Sequence, residues 1–341
     1  MQPGIGASVR RMFDPIKRTT DSCSLAIHAF IPNGQIGTDW TVFPDENGIL
    51  QIIDLKIDSE KFQYISEVAN YYIRKTRFWL YTSDNKNQYE ELFIDSRPHN
   101  KTHFKPDRPV IMVTHGWIHS GHSPSAQYIK NEYLKKMDVN VIVVDWHLAS
   151  RTSYLMASFL TAIVGEDIND MVRTLIKEYD FDINDLHLIG HSLGAHVVGR
   201  AGNALKRHKV IVPRITGLDP ARPLFEFPRV FNAISKNNAY FVDIIHTNVG
   251  VFGFIKDIGH ADFYPNGGFK QNHCRHPDMQ FDSDHNCAWV YYGESINSEI
   301  FVSHRCPSYD DFNKRKCNDI QYMGSPCDST ARGKYYLNVT K

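Results

Sequence analysis

The sequence predicts an α/β fold, a mostly parallel central sheet with helices on both faces. Short runs rich in Val and Ile alternate with longer stretches at helical spacing, the pattern of strands joined by crossover helices. The turns that close several of these runs carry Ser192, Asp219 and His115-Gly116-Trp117. In parallel sheets functional groups gather at strand C-termini. At 341 residues, with 42% apolar and 22% charged side chains, the chain is an ordinary globular protein with material for a large core. Lys plus Arg equals Asp plus Glu at 38 each, so no net field favours nucleic acid, and no nucleic-acid partner is expected.

Taken in order, residues 1–20 carry Arg10, Arg11, Lys17 and Arg18 with little periodicity and read as a mobile leader. Met1 to Lys17 contains no continuous apolar segment of the kind a signal peptide needs. Residues 21–341 read as a single domain without repeat or linker. Turn signals at Pro32-Asn33-Gly34 and Pro44-Asp45-Glu46-Asn47-Gly48 punctuate short β-like runs. Thr76 to Thr82 is β-rich, and Tyr89 to Ile94 is placed to pair back on it after a polar turn. Val110 to Thr114 and Val139 to Val144 read as buried strands, with helical spacing from Ser125 to Met137 between them. Tyr154 to Tyr179 is a long helical region. Its apolar stretch, Leu155 to Val164, is too short to span a bilayer. Strands follow at Leu186–Ile189, Arg214–Leu218 and Tyr240–His246, with a helix over 195–207 after the first of them.

Gly190-His191-Ser192-Leu193-Gly194 fits G-x-S-x-G, between an apolar run and a helical pattern. At such a junction the turn is so tight that the serine is strained, and a Cβ at either glycine would collide with its neighbours. A serine hydroxyl needs a base, and the base needs an orienting carboxylate. Asp219, held by Pro220 just past a strand, is the candidate acid. The order Ser…Asp…His then requires a downstream histidine, from His246, His260, His273, His276, His285 and His304. His285 is preferred because it lies between turn-forming Asp282-Ser283-Asp284 and the helix-like run Ala288 to Ile296. An oxyanion needs two backbone donors. Leu193 after the nucleophile supplies one, and Trp117, with Gly116 allowing close approach, supplies the other; His115 reads as structural.

Six cysteines, at 23, 274, 287, 306, 317 and 327, form no C-x-x-C pair. An even number at loop-like spacings fits disulfides and an oxidising compartment, hence a secreted protein. Nearest-neighbour pairing would join Cys274 to Cys287 and Cys306 to Cys317, leaving Cys23 and Cys327. The sequons at Asn100 and Asn338 agree with a secretory route.

These motifs, with Thr216-Gly217-Leu218-Asp219-Pro220-Ala221, Val242-Asp243-Ile244-Ile245-His246-Thr247 and Asp262-Phe263-Tyr264-Pro265-Asn266-Gly267-Gly268, resemble the animal, pancreatic-type lipase family, with its sn-1 phospholipases and arthropod relatives. The resemblance runs from about residue 75 onward, and Cys306 to Cys317 matches a family disulfide loop. It implies an α/β-hydrolase fold, a triad of Ser192, Asp219 and His285, and an oxyanion hole of Trp117 and Leu193. Departures refine it. Around the histidine the family reads Cys-Ser-His-x-Arg-Ala, whereas Ser283-Asp284-His285-Asn286-Cys287-Ala288 puts the cysteine after the histidine. The lid, Arg275 to Asp284, is short, as in sn-1 phospholipases and galactolipases rather than triglyceride lipases. Val230 to Asn238 lacks the family's calcium ligands, so no metal or other cofactor is expected. With the sequence stopping at Lys341, neither a C-terminal β-sandwich nor a colipase partner is expected.

The implied function is a secreted serine hydrolase releasing fatty acids from lipid at a micelle or membrane interface. A triacylglycerol lipase, a short-chain esterase and a non-catalytic lipid-binding protein of the yolk type are the alternatives. The loop Val249 to Ile258 is either a lipid-facing element or a buried one.

Overall fold

The computed structural model describes residues 34–44, 49–272, 274, 276–277 and 284–340. The expected leader, Cys23, His273 and Arg275 lie outside the described residues. An antiparallel ribbon, β1 (Trp40–Pro44) and β2 (Leu50–Asp54), stands apart from the main sheet. Helix α1 (Ser59–Ala69) follows, its first turn capped by the Asp58 carboxylate, which accepts from the Lys61 N–H.

Among the described residues the main sheet has eleven strands. β3 (Arg77–Tyr81) and β4 (Glu90–Leu92) form the expected hairpin, and β3 lies antiparallel beside β6 (Asn140–Asp145). β5 (Val110–Thr114) is parallel to β6 on one side and to β7 (Leu186–His191) on the other. β8 (Arg214–Leu218), β9 (Phe241–Ile245) and β10 (Ala261–Pro265) continue the parallel series. β11 (Val302–Arg305), β12 (Ile320–Tyr322) and β13 (Gly333–Leu337) complete the far edge, β13 running parallel to β10.

Side-chain alternation sorts the strands' apolar residues into two cores. Val110, Met112, Leu186, Leu188 and Ile215 face the first, packed against α3 (Tyr154–Glu178) and α4 (Leu193–Arg207). Ile111, Val113, Ile189 and Ile245 face the second, under α2 (Pro124–Lys136) and α5 (Cys287–Ile296). This is the mostly parallel sheet with helices on both faces that the sequence predicts, and the α/β-hydrolase architecture that the resemblance implies. α3 and α4 cross closely where Gly165 meets Arg200: a Cβ on Gly165 would stand 2.5 Å from the Arg200 Cβ. No helix among the described residues is long and apolar enough to cross a membrane.

Two boundaries move at the serine. The strand read as Leu186–Ile189 extends to His191, because its pairing with β8 continues through His191 opposite Leu218. The helix read from residue 195 starts at Leu193, directly at the turn.

Candidate active site

Chain order in the sheet reverses beside β5: β6 lies on one side of it and β7 on the other. Such a switch point opens a crevice beyond the strand C-termini. Register fills that crevice. Thr114 is paired with Gly190, so two residues on, Gly116 comes beside Ser192. His191 is paired with Leu218, so the next residues, Ser192 and Asp219, are neighbours. Three segments far apart in sequence meet because three adjacent parallel strands end level.

Ser192 takes φ 58° and ψ −121° between β7 and α4, a left-handed conformation that a side chain ordinarily avoids. The turn is held by Ser192 N–H donating to the Leu218 carbonyl at 2.9 Å and Ala221 N–H donating to the Ser192 carbonyl at 3.3 Å. Both glycines of the pentapeptide are required by contact. A Cβ on Gly190 would meet the Gly194 carbonyl oxygen at 2.2 Å, and one on Gly194 would meet the Thr114 and His115 oxygens at 2.5 Å. Ser192 Oγ is buried and has no hydrogen-bond partner among the described residues.

Asp219 is fully buried, at φ 41°. Its Oδ1 accepts from the N–H groups of Thr247 at 2.9 Å and Asn248 at 3.1 Å. Its Oδ2 lies 2.6 Å from His285 Nδ1. A carboxylate only accepts, so Nδ1 carries the proton and Nε2 presents its lone pair. Of the sequence-selected histidines among the described residues, His285 is therefore the one joined to Asp219. His246 pairs instead with Asp262 at 2.8 Å, and the His260 ring accepts from the Val242 N–H. His276 packs on Tyr128 and Trp289, and His304 lies in β11.

The donors proposed for an oxyanion flank Ser192. Leu193 is the first residue of α4, where an N–H has no intrahelical acceptor. Gly116 lies against the serine: a Cβ there would come 3.0 Å from the Ser192 Cβ. Trp117 follows it, its indole donating to the Thr152 carbonyl at 3.0 Å. His115 is structural, as read: its Nε2 accepts from the Trp146 N–H, and its ring stacks on Trp146.

Sequence reasoning missed several contributors. His191, the variable position of the pentapeptide, donates from Nε2 to the His285 carbonyl at 3.2 Å. Burial, then the neighbouring His285 and His119, push its pKa well below the usual histidine range, so it stays neutral. Gly253 presses on Asp219, where a Cβ would lie 2.3 Å from Oδ1. Gln271 donates to the Thr247 and Pro265 carbonyls, while its N–H donates to Asp284 Oδ1 at 2.7 Å, tying the turn before His285 to the sheet. None of these carries a local motif; only the G-H-S-L-G stretch itself could have flagged His191.

Of the lid residues, Asp284 thus sits in the turn carrying His285, and Arg275 lies outside the described residues. Disulfides join Cys274 to Cys287 and Cys306 to Cys317, and Cys327 has no disulfide partner among the described residues. The first links that stretch to the first residue of α5, just after the histidine. In the loop 249–258, Val249, Phe252 and Phe254 are buried and Ile255 is half exposed. Its aromatic residues turn inward, Phe252 onto the His285 ring at 5.9 Å between centroids.

With this geometry in place, comparison with known proteins is decisive. The family model described as Lipase matches residues 57–341. The chain belongs to the lipase family. It is 36% identical over 274 residues to pancreatic lipase-related protein 2 of Rattus norvegicus, covering 74% of this chain and 58% of that one. To the pancreatic triacylglycerol lipase of Sus scrofa it is 35% identical over 274 residues, covering 74% and 60%. The chain thus spans about six-tenths of the length of the curated relatives it matches. A solved esterase from Thermogutta terrifontis with bound butyrate aligns over 51% of this chain and 69% of its own, at 15% identity and a TM-score of 0.32. The family match begins after the β1–β2 ribbon, which lies wholly ahead of it.

Proposed function

We propose that this lipase-family chain is a serine hydrolase that releases fatty acids from lipid esters through an acyl-enzyme on Ser192. The observation that carries it is the Asp219–His285 pair at 2.6 Å beside a serine held at φ 58°. His285 Nε2 takes the Ser192 proton as Oγ attacks the ester carbonyl. The oxyanion is held by the Trp117 and Leu193 N–H groups. Collapse expels the alcohol, which takes the proton from Nε2, and water attacks the acyl-enzyme by the same route. Asp219 keeps Nδ1 protonated throughout and stabilises the imidazolium.

Among lipids we favour phospholipids or galactolipids over triglycerides, on the shortness of the stretch 275–284. The two disulfides support folding in an oxidising compartment, hence secretion. The test is acyl release from phosphatidylcholine and from triolein, side by side, with Ser192→Ala as control. Release from phosphatidylcholine alone supports the phospholipase reading, and release from triolein supports a triglyceride lipase. No serine-dependent release from either, with no fluorophosphonate labelling of Ser192, would sink the hydrolase and leave a lipid-binding protein.

A further inference from the structure

The ring of the proposed base, His285, is covered by a side chain from outside the region matched by the family. Phe43, on β1, is 2% exposed. Its ring centroid lies 5.2 Å from that of His285, 4.9 Å from Phe252, 5.4 Å from Tyr154 and 6.2 Å from Trp117. These four rings also pack on one another, Trp117 on Tyr154 and Phe252 on His285, and they include the proposed base, His285, and the residue proposed to carry one oxyanion donor, Trp117. An acyl carbon bonded to Ser192 Oγ, with its oxygen between the Trp117 and Leu193 N–H groups, must send its alkyl chain along these rings. A phenyl ring already covers them. Ser192 and His285 are themselves only 2% and 3% exposed, so a lipid chain reaches them only when a neighbour moves. The carrier of Phe43 is a two-stranded ribbon separate from the main sheet, and such ribbons are marginal on their own.

We propose that Phe43 is a plug in the acyl-chain site, occupying the place of the substrate's alkyl chain and leaving it when the β1–β2 ribbon shifts. This rests on the reading of Ser192 as the acylated residue. The plug makes long-chain ligands compete with the protein's own ring. Their apparent affinity is then the affinity of the unplugged site multiplied by the fraction of molecules that are open. Ligands too short to reach past the carboxyl end escape the competition. Phe43 is thus a specificity-determining residue, acting against long chains in the closed state.

The experiment is calorimetric titration of the full chain, its Phe43→Ala and its Phe43→Leu variants, with monomeric sodium laurate and with sodium butyrate. Laurate should bind Phe43→Ala about tenfold more tightly than wild type or better, Phe43→Leu by a smaller gain, and butyrate alike in all three. Unchanged or weaker laurate binding in folded variants, or an equal gain for butyrate, overturns the plug. If Phe43→Ala does not fold, Phe43→Leu decides by the same criteria. Fluorophosphonate labelling of Ser192, run in parallel, separates the two readings. Labelling without a laurate gain keeps the hydrolase and removes the plug; a laurate gain without labelling does the reverse.

Discussion

Asp219 offers only acceptors, and this decides which nitrogen of His285 keeps its proton. Oδ1 is saturated by the Thr247 and Asn248 N–H groups, leaving Oδ2 for Nδ1. In Asp219→Asn the backbone donors hold the amide oxygen at the Oδ1 position, so the NH₂ faces the ring. Nδ1 then has to accept, the proton moves to Nε2, and the base is lost. We expect kcat to fall by about 10³–10⁴ with the fold intact, read from ester turnover alongside circular dichroism. A loss under tenfold would mean that His285 does not act through this carboxylate. Gly116→Ala tests the serine's position independently. Its methyl would stand 3.0 Å from the Ser192 Cβ, tighter than ordinary contact, so the serine must give way. A displacement approaching 1 Å costs about 10²-fold in kcat, and we expect that order of loss with little change in melting temperature.

At the scale of elements, the histidine depends on a staple. His285 lies in the turn Asp284–Asn286, directly ahead of α5, whose first residue is joined to Cys274 across 13 residues. Closing a loop of that length stabilises by about 3 kcal/mol through the unfolded chain. The double variant Cys274→Ser/Cys287→Ser should lose about that much in urea unfolding. It should also lose kcat by tenfold or more, since a covalent tie is then missing from a turn otherwise held by non-covalent bonds such as Gln271 N–H to Asp284 and His191 to the His285 carbonyl. Normal kcat in the destabilised variant would show that the staple does not position the histidine. This element also marks how far the sequence could be read. The strand–turn–helix around Ser192 was legible because its requirements are local: glycines at fixed spacing, an apolar run before, helical spacing after. Asp219 and Trp117 were legible because each ends a clear strand, and the parallel sheet does the rest. The β1–β2 ribbon was legible only as turns and short β-like runs. Its burial on His285 is a long-range contact, invisible to periodicity. The inward turn of Phe252 and Phe254 was undecided for the same reason: an apolar loop suits either a lipid or a core.

At the scale of the whole molecule, buried histidines set the response to acid. Burial, with repulsion from His115, His285 and Arg151, pushes His119 down to about 3, and burial holds His196 at about 3 as well. His187 and His191 are likewise held well below the usual range by burial first, then by Arg214 beside His187 and by His285 and His119 beside His191. The His196 ring is fixed as neutral by its bonds: Nε2 donates to the Ala221 carbonyl and Nδ1 accepts from the Ile234 N–H. For each of these groups the folded pKa is depressed, so below the unfolded value near 6.5 the unfolded chain binds the proton and the native state does not. Stability is therefore full above about pH 6.5 and falls as the pH drops toward 3, by at most about 1.4 kcal/mol per pH unit per histidine. Between pH 6.5 and 5 this effect stands nearly alone, because unfolded carboxylates titrate near 4. Urea unfolding across that interval should show a steep acid loss. His196→Gln, which keeps one donor and one acceptor, should reduce the slope by about one histidine's share while lowering stability at neutral pH. A pH-independent unfolding free energy from 6.5 to 5 would mean that these rings accept protons without unfolding, and that the tight sheet–helix packing around the elbow admits charge.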